Sequence, residues 1–271
     1  MLNKNRDFQT FLGCDKNYNE ANVVIFGAGY DATTSNKPGS RFAPSLMRLE
    51  SYGLETYSPA LDKDLEEDAR VYDGGDLELY GRAETVLDTI EAAAAQILAD
   101  GKTPFMIGGE HLVTLGGVRA ALKKHPNLHI VHLDAHTDLR DDYMGEPLSH
   151  ATVIKRCLDL VGNDRVYQHG IRSGTKEEFV LASNLRKTLP PADVPVYLTL
   201  DLDVLDPSAF CGTGTPEAGG LTYLELMAKL KEVMELNIVA LDMVELAPNY
   251  DQSGVSTATA CKVLREMLLM L

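Results

Sequence analysis

The stretch LHIVHLDAHTDLRDDYMGEPLSH, residues 128–150, joins an apolar run to a polar loop. Its first six residues are apolar apart from two histidines, a pattern typical of a strand that is buried on both faces. Asp134, His136 and Asp138 then follow at every second position. A buried strand that ends in carboxylate, imidazole and carboxylate brings metal-type ligands to one edge of a sheet.

Five more apolar runs predict strands, at residues 23–29, 104–109, 166–171, 194–203 and 237–246. Helical patterns alternate with these runs, at residues 83–101, 112–125, 175–189, 222–236 and 253–271. Gly101 is a plausible helix stop, and Thr222 and Glu225 have capping-box spacing. The alternation predicts one α/β domain over residues 1–271, a three-layer α/β/α sandwich with a mainly parallel sheet. Functional sites in such sheets form at the carboxyl ends of the strands.

The chain of 271 residues is acidic, with a formal net charge of −15. Acidity argues against a nucleic-acid partner and is compatible with a cationic small-molecule substrate, although many cytosolic proteins are simply acidic. No apolar run reaches the roughly 18 residues of a membrane span, and residues 1–20 lack the apolar core of a signal peptide. The four cysteines are scattered, without the spacing of a disulfide framework. We therefore expect a cytoplasmic protein with no membrane partner.

Candidate metal ligands follow three of the predicted strands: His111, then Asp134, His136 and Asp138, then Asp201 and Asp203. Each group alone is compatible with a turn, a helix cap or a structural histidine. Together, the carboxylates at one sheet edge would repel one another without cations. Oxygen ligands mixed with histidine suit manganese, iron or magnesium. Two ions roughly 3.5 Å apart could share bridging carboxylates and hold a hydroxide, which predicts metal-assisted hydrolysis.

Several motifs follow the order and spacing of the ureohydrolase (arginase/agmatinase) family: GGEH, DAHTD, the Ser149 and His150 pair, LDLDVLDPSAFCGTGTPEAGGLT and DMVELAPNYD. The segment GYDATTSNKPGSRFAPSLMR also resembles the family's opening signature. The resemblance covers nearly the whole chain and is strongest to the agmatinases. It implies a sandwich around an approximately eight-stranded parallel sheet, two Mn²⁺ ions per chain and a homo-oligomer, either a trimer or a hexamer. It also implies hydrolysis of a guanidinium group to urea and an amine.

The family's ligand pattern transfers directly onto this sequence. It implies that one Mn²⁺ is bound by His111, Asp134, Asp138 and Asp201. It implies that the other is bound by Asp134, His136, Asp201 and Asp203, so that Asp134 and Asp201 bridge the two ions.

The same resemblance implies the remaining catalytic roles. Asp138 would orient the metal-bridging hydroxide that attacks the guanidinium carbon, and His150 would shuttle protons. Glu245 would pair with the substrate guanidinium, because a planar cation calls for a carboxylate. Thr213 and Thr215 would shape the pocket beside the metals, with Thr215 and His150 touching the substrate.

Agmatine, cleaved to urea and putrescine, is the predicted substrate. Asp141, Asp142 and Glu146 lie between the ligands and His150 and are candidates for an acidic entrance that favours a dication. The alternatives are another ureohydrolase (guanidinobutyrase, arginase or formimidoylglutamase) or a metal-dependent deacetylase. A deacetylase uses one zinc, and the second set of ligands argues against it. A catalytically silent protein is disfavoured because every ligand position is intact.

Overall fold

The computed structural model describes residues 8–271. A seven-stranded sheet, parallel throughout, has the order β4-β1-β5-β9-β8-β6-β7. Its strands are β1 (Val23–Ala28), β4 (Val71–Asp76), β5 (Thr103–Gly108), β6 (His129–Leu133), β7 (Val166–His169), β8 (Val196–Asp201) and β9 (Ile238–Val244). A short antiparallel pair, β2 (Tyr57–Ser58) and β3 (Lys63–Asp64), lies apart from this sheet.

Helices cover both faces of the sheet. They are α1 (Ala43–Ser51), α2 (Leu65–Asp68), α3 (Ala83–Ala99), α4 (Thr114–Lys124), α5 (Val153–Val161), α6 (Lys176–Ala182), α7 (Tyr223–Met234) and α8 (Val255–Met270). One apolar cluster joins α1, α2, α7 and α8 to the sheet, and a second joins α3, α4 and α5 to the opposite face. The predicted three-layer α/β/α fold with a parallel sheet is confirmed.

Successive side chains in each strand alternate between the two faces of the sheet, which explains why the strand sequences are apolar throughout. In β1, Val23 and Ile25 belong to the first cluster, whereas Val24 and Phe26 belong to the second. Successive side chains of a strand point to opposite faces. A strand with a helical layer on each face must therefore be apolar at every position.

The sheet has seven strands within residues 8–271, where the family resemblance implied about eight. Beyond β7 the sheet is extended only by a single bridge between Tyr167 and Arg186. Arg186 N–H donates to Val166 O and Arg186 O accepts from Gln168 N–H, at 3.2 and 3.0 Å. Pro190 and Pro191 follow shortly afterwards and have no N–H to continue a ladder, so this segment does not become a full strand.

Other elements also differ from the sequence prediction. Strand β4, VYDGGD, was not predicted because its two glycines and two aspartates interrupt the apolar pattern. Helices α1 and α5 were also not predicted. The helix predicted over residues 175–189 is only seven residues long and leaves Phe179 and Val180 exposed.

The predicted helix signals at two other positions are confirmed. Gly101 has a φ of 74°, the left-handed conformation that ends α3. The Thr222 side chain accepts a hydrogen bond from Glu225 N–H, and the Glu225 carboxylate accepts one from Thr222 N–H, which together form the capping box of α7.

The strand order places the site. Strands β5 and β6 follow each other along the chain, but β9 and β8 lie between them in the sheet. The carboxyl ends of these four strands are therefore neighbours, and a crevice forms where the connections diverge. The single domain predicted over residues 1–271 includes residues 1–7, which lie outside the described part, and it stays a prediction. None of the helices within residues 8–271 combines the length and apolar character needed to cross a bilayer.

A buried ion pair ties α1 to β4 and generates a stability prediction. Arg48 donates from Nε and Nη2 to the two carboxylate oxygens of Asp73, at 2.8 and 3.0 Å, and also contacts Asp76. Arg48→Met should lower the free energy of unfolding by about 3–5 kcal/mol, because it leaves the buried Asp73 charge without its partner. Urea denaturation measures this loss.

The matched control is Arg186→Ala, which removes an exposed ion pair to Asp164. Exposed pairs contribute about 0–1 kcal/mol, so this variant should unfold close to wild type. Equal losses of unfolding free energy in Arg48→Met and Arg186→Ala would contradict the stabilising role of the buried Arg48 ion pair.

Candidate metal centre and active site

A cavity of about 300 Å³ lies at the carboxyl ends of β5, β6, β8 and β9. Predicted site residues from these four strand ends and the loops after them line it: His111, His136, Asp138, His150, Asp201, Thr215 and Glu245. Asp134 and Asp203 contact the lining histidines and are themselves buried. The structure thus brings the six predicted ligands, His150, Glu245 and Thr215 to one place, and their individual roles remain proposals. Thr213, also predicted to shape the pocket, is buried and does not line the cavity.

His111 lies at the centre of the first ligand group. Its Nδ1 is 3.1 Å from Asp134 Oδ2, 3.2 Å from Asp138 Oδ2 and 3.2 Å from Asp201 Oδ2. Three carboxylate oxygens converge on one ring nitrogen, in the combination that the motifs predict for one ion.

His136 forms the second group with Asp134 and Asp203. Its Nδ1 lies 2.9 Å from Asp203 Oδ2 and 3.5 Å from Asp134 Oδ1. Asp134 therefore presents one oxygen to each group, as a bridging ligand would. Asp201 contacts the first group through Oδ2, while its Oδ1 accepts a hydrogen bond from Asp203 N–H at 2.8 Å.

Two buried atoms test whether this cluster fits metal ions. Within residues 8–271, His111 Nδ1 and Asp203 Oδ2 are buried and lack a well-directed hydrogen-bond partner, and one belongs to each group. An unpartnered buried polar atom is costly unless something else satisfies it. Divalent cations would satisfy both atoms with the nitrogen and oxygen ligands that manganese, iron or magnesium accept.

The electrostatics of the cluster support the same interpretation. Burial and the neighbouring Asp203 and Asp134 carboxylates raise the pKa of Asp201 well above its ordinary value. Burial opposes the charge of His136, but the adjacent Asp134 and Asp203 carboxylates prevail and raise its pKa to about 12. Both shifts follow from the crowding of buried carboxylates, whose charge bound cations would balance.

His132 supports a ligand, a role that the motifs do not predict. Its Nε2 is 2.6 Å from Asp134 Oδ2. Gln168 donates from the same amide nitrogen to Thr137 O at 2.9 Å and to His132 Nδ1 at 3.1 Å. Because Nδ1 accepts this bond, Nε2 is the ring nitrogen that donates a hydrogen bond to Asp134. His132 is therefore assigned as a partner of the ligand and not as a ligand.

His150 is fixed by the loop that follows β1. Its Nδ1 lies 3.0 Å from Thr33 O, an atom that can only accept, so Nδ1 carries the proton. Its Nε2 lies 3.4 Å from Ser35 Oγ, and both residues line the cavity. Burial lowers the pKa of His150, so the neutral ring with an unprotonated Nε2 predominates near pH 7.

Glu110 holds that loop in place. Its carboxylate accepts hydrogen bonds from the hydroxyls of Thr33 and Thr34, at 2.7 and 2.9 Å, and from Thr33 N–H. Burial raises the pKa of Glu110 to about 7. Thr33 Oγ1 in turn accepts a hydrogen bond from His150 N–H at 3.2 Å. The predicted GGEH motif thus contributes its glutamate to the support of His150.

Glu245 and Asp138 adopt strained backbone conformations. They have φ values of 64° and 52°, a left-handed region that non-glycine residues rarely adopt. Such strain persists where the surrounding structure enforces it, often at functional sites. Glu245 Oε1 accepts a hydrogen bond from His111 N–H at 2.7 Å, and burial, with the nearby Glu110, raises its pKa well above the ordinary value.

The predicted acidic entrance does not form as a group. Asp141 lies 3.3 Å from Lys155 Nζ, and Asp142 accepts a hydrogen bond from Gly145 N–H at 3.0 Å. Neither lines the metal-site cavity, and Glu146 lines a neighbouring one. The loop instead contributes Arg140 and Tyr143 to the cavity.

Arg140 is a cationic group in a cavity predicted to take a cation, and its charge is partly offset. Its Nε is 3.4 Å from Glu178 Oε2, and its guanidinium lies 4.8 Å from the Tyr143 ring centroid. Glu178 also accepts hydrogen bonds from Thr137 Oγ1 and Thr175 N–H, at 2.7 and 2.8 Å. No motif predicted Arg140 or Glu178, because their role depends on the path of the loop.

Residues 21–270 match the arginase family. The chain belongs to this family. The agmatinase of Bacillus subtilis (strain 168) is 46% identical to it over 278 aligned residues that cover 96% of each protein. A crystal structure from Clostridium difficile superposes with a TM-score of 0.89 at 50% identity, covering 94% of this chain and 98% of that one. The agmatine ureohydrolase of Thermoplasma volcanium has a TM-score of 0.87 at 33% identity, covering 97% and 94%. The protein is a ureohydrolase-type hydrolase, and its family and ligand cluster indicate a binuclear metal centre.

The crowded carboxylates generate a prediction about ion binding. Adding a divalent ion to chelator-treated protein should raise the midpoint of thermal unfolding. A ligand that binds only the folded state raises the free energy of unfolding, by about 2.7 kcal/mol at a ligand concentration of 100 times the Kd. Differential scanning fluorimetry with Mn²⁺, Mg²⁺ and Zn²⁺ measures the shift. Asp203→Asn should reduce it, whereas Asp164→Asn, at an exposed carboxylate, should not. No shift with any of the ions at millimolar concentration would count against the centre.

Proposed function

We propose that this protein hydrolyses agmatine to urea and putrescine, with two Mn²⁺ ions as its cofactor. The observation that carries the proposal is the cavity itself, where the ligand cluster, His150 and Glu245 meet. Similarity to the Bacillus subtilis agmatinase along nearly the whole chain supports the choice of agmatine.

The residues that would hold the ions fall into the two groups described above. His111, Asp134, Asp138 and Asp201 would bind the first ion, and Asp134, His136, Asp201 and Asp203 the second. When bound, such a pair of ions supplies Lewis-acid chemistry and an activated water at neutral pH. The sheet holds the ligands, since five of the six lie at or within three residues of a strand end.

Glu245 would bind the substrate guanidinium. Its carboxylate lies in the cavity, on a backbone held by the Glu245 N–H bond to Gly109 O at 2.9 Å. Burial makes a lone carboxylate charge costly, as the raised pKa of Glu245 shows. A planar guanidinium would offset that charge and form paired hydrogen bonds, which fix the orientation of the reacting carbon. Thr215, which also lines the cavity, would contact the same substrate.

His150 would move the proton that the leaving amine requires. Departure of an amine from a tetrahedral carbon needs protonation of its nitrogen. Because Nδ1–H of His150 is hydrogen-bonded to the Thr33 carbonyl, Nε2 is the nitrogen that can take up and deliver that proton. Asp138, next to His111, would orient the attacking water through its carboxylate.

Substrate choice depends on the end of the molecule remote from the guanidinium. Agmatine presents an ammonium there, and Glu178 lines the cavity with a carboxylate whose pKa is lowered by hydrogen bonds despite its burial. Arg140 favours the second candidate, hydrolysis of a guanidino acid such as 4-guanidinobutyrate, because a guanidinium binds carboxylates. The pairing of Arg140 with Glu178 reduces this preference.

We also propose that the protein is a cytoplasmic homo-oligomer, a trimer or a hexamer, as the family resemblance implies. Cys157, Cys211 and Cys261 are free thiols, and two of the three are buried, which fits a reducing compartment.

A first functional prediction concerns His150. His150→Asn should lower kcat on the order of 10²–10⁴-fold, because amide nitrogen cannot carry the proton. The number of bound ions, measured by elemental analysis, should stay at the wild-type value. His125→Asn, at the end of α4 and away from the cavity, is the control and should keep wild-type kcat. A His150→Asn enzyme with normal turnover would remove this residue from the mechanism.

A second prediction concerns the substrate. Urea release from the Mn²⁺-loaded protein should show the highest kcat/KM with agmatine, followed at a distance by 4-guanidinobutyrate and arginine. Arg140→Met should reduce activity on 4-guanidinobutyrate more than activity on agmatine, since only the acid has a carboxylate for Arg140. A higher kcat/KM of the wild type for 4-guanidinobutyrate or arginine than for agmatine would refute the proposed substrate without affecting the family assignment.

A further inference from the structure

A buried hydrogen-bonded chain lies behind the first ligand group. His111 Nε2 is 2.9 Å from Thr199 Oγ1, and Thr199 Oγ1 is 2.7 Å from Asp242 Oδ1. Tyr197 OH is 2.7 Å from the other carboxylate oxygen, Asp242 Oδ2. Each of these four side chains is at most 1% exposed, so water does not compete for their hydrogen bonds. These hydrogen bonds link the segment after β5 to strands β8 and β9.

The donors and acceptors of this chain can be arranged in one consistent way. The Asp242 carboxylate accepts from two hydroxyls, one at each oxygen. Thr199 has one hydroxyl hydrogen and uses it for Asp242, so toward His111 it can only accept. Nε2 of His111 must then carry the ring proton and donate it to Thr199.

This arrangement determines the other nitrogen of the same ring. With Nε2–H donated to Thr199, the other ring nitrogen of His111, Nδ1, faces the oxygens of Asp134, Asp138 and Asp201. Nδ1 is one of the buried atoms without a well-directed hydrogen-bond partner in residues 8–271. A cation between Nδ1 and these oxygens would be bound by both kinds of ligand. The opposite tautomer would point N–H at the carboxylates and block the ion.

We propose that Thr199 and Asp242 are positioning residues that hold His111 in its Nε2–H tautomer and thereby set the affinity of the ion on the His111 side. The proposal rests on the binuclear centre of the proposed function. Thr199 contacts no substrate and acts only through His111. Asp242 acts one step further back, by taking the hydrogen of Thr199.

Two variants separate this role from simple packing. Thr199→Val keeps the shape of the side chain but removes the hydroxyl that receives the His111 proton. Tyr197→Phe removes a different donor to the same buried carboxylate and leaves the Thr199 to His111 contact in place. Both variants cost stability by leaving a buried group with fewer partners. Only the first should change the metal site.

The main measurement is Mn²⁺ affinity at each of the two sites, by competition with a chelator. Thr199→Val should weaken one of the two ions by 10–100-fold, the range found when a group that orients a ligand is removed. The second ion should stay at wild-type affinity. Thr199→Ser, which restores the hydroxyl, should recover tight binding, and Tyr197→Phe should bind both ions like the wild type. If Thr199→Val does not fold, Asp242→Asn tests the same link with a smaller expected loss.

Equal metal affinity in Thr199→Val and wild type, or an equal loss in Tyr197→Phe, would overturn the proposal.

The proposed function and the positioning role can be refuted independently. If the variants show the predicted pattern of Mn²⁺ affinities but the wild-type protein releases no urea from any guanidino compound, the function is refuted and the positioning role stands. Efficient urea release together with unchanged ion affinity in Thr199→Val would refute the positioning role alone.

Discussion

The mutual repulsion of four carboxylates is the constraint on which the rest of the site depends. Asp134, Asp138, Asp201 and Asp203 meet at one sheet edge around two histidines, and three of them are nearly inaccessible to water. Backbone N–H groups offset part of this charge, since Ala135 N–H donates to Asp203 and His136 N–H to Asp134. The remaining charge calls for cations, and a frame of paired strands keeps the carboxylates from moving apart. The stability of the sheet and the metal site are therefore linked through the same backbone.

The loops carry the groups that must be placed with respect to this frame. Asp138 and Glu245 reach the cavity from left-handed backbone positions, a conformation costing roughly 1–2 kcal/mol per residue. His150 is placed by the loop after β1, through Thr33 and the buried Glu110. Glu110 is next to His111 in sequence, so one short segment supplies a ligand on one side and supports the proton carrier on the other. The position of the ligand His111 and the position of the proton carrier His150 thus both depend on the segment that contains Glu110 and His111.

Much of the fold, and the convergence of the proposed ligands at one sheet edge, could be predicted from the sequence, because both depend on local patterns. Apolar runs without polar interruptions predict strands that are buried on two faces, and ligands directly after them predict a common edge. Strand β4 escaped prediction because Asp73 belongs to an ion pair with Arg48, a partner 25 residues earlier in the chain. The contact of Arg140 with Glu178, 38 residues apart, could not be predicted for the same reason. Such pairs depend on tertiary structure, and single-sequence patterns do not contain them.

One local signal was available for the groups behind the ligands. Residues two apart in a strand share a face, so the residue two before a ligand points to the same side. His132 stands two before Asp134, and Thr199 stands two before Asp201. Both are polar interruptions of buried apolar runs, and each would cost stability unless it made hydrogen bonds. His132 contacts Asp134, and Thr199 contacts His111 from the neighbouring part of the sheet. The polar positions of β6 and β8 thus extend the site into the core, where water does not compete for their hydrogen bonds.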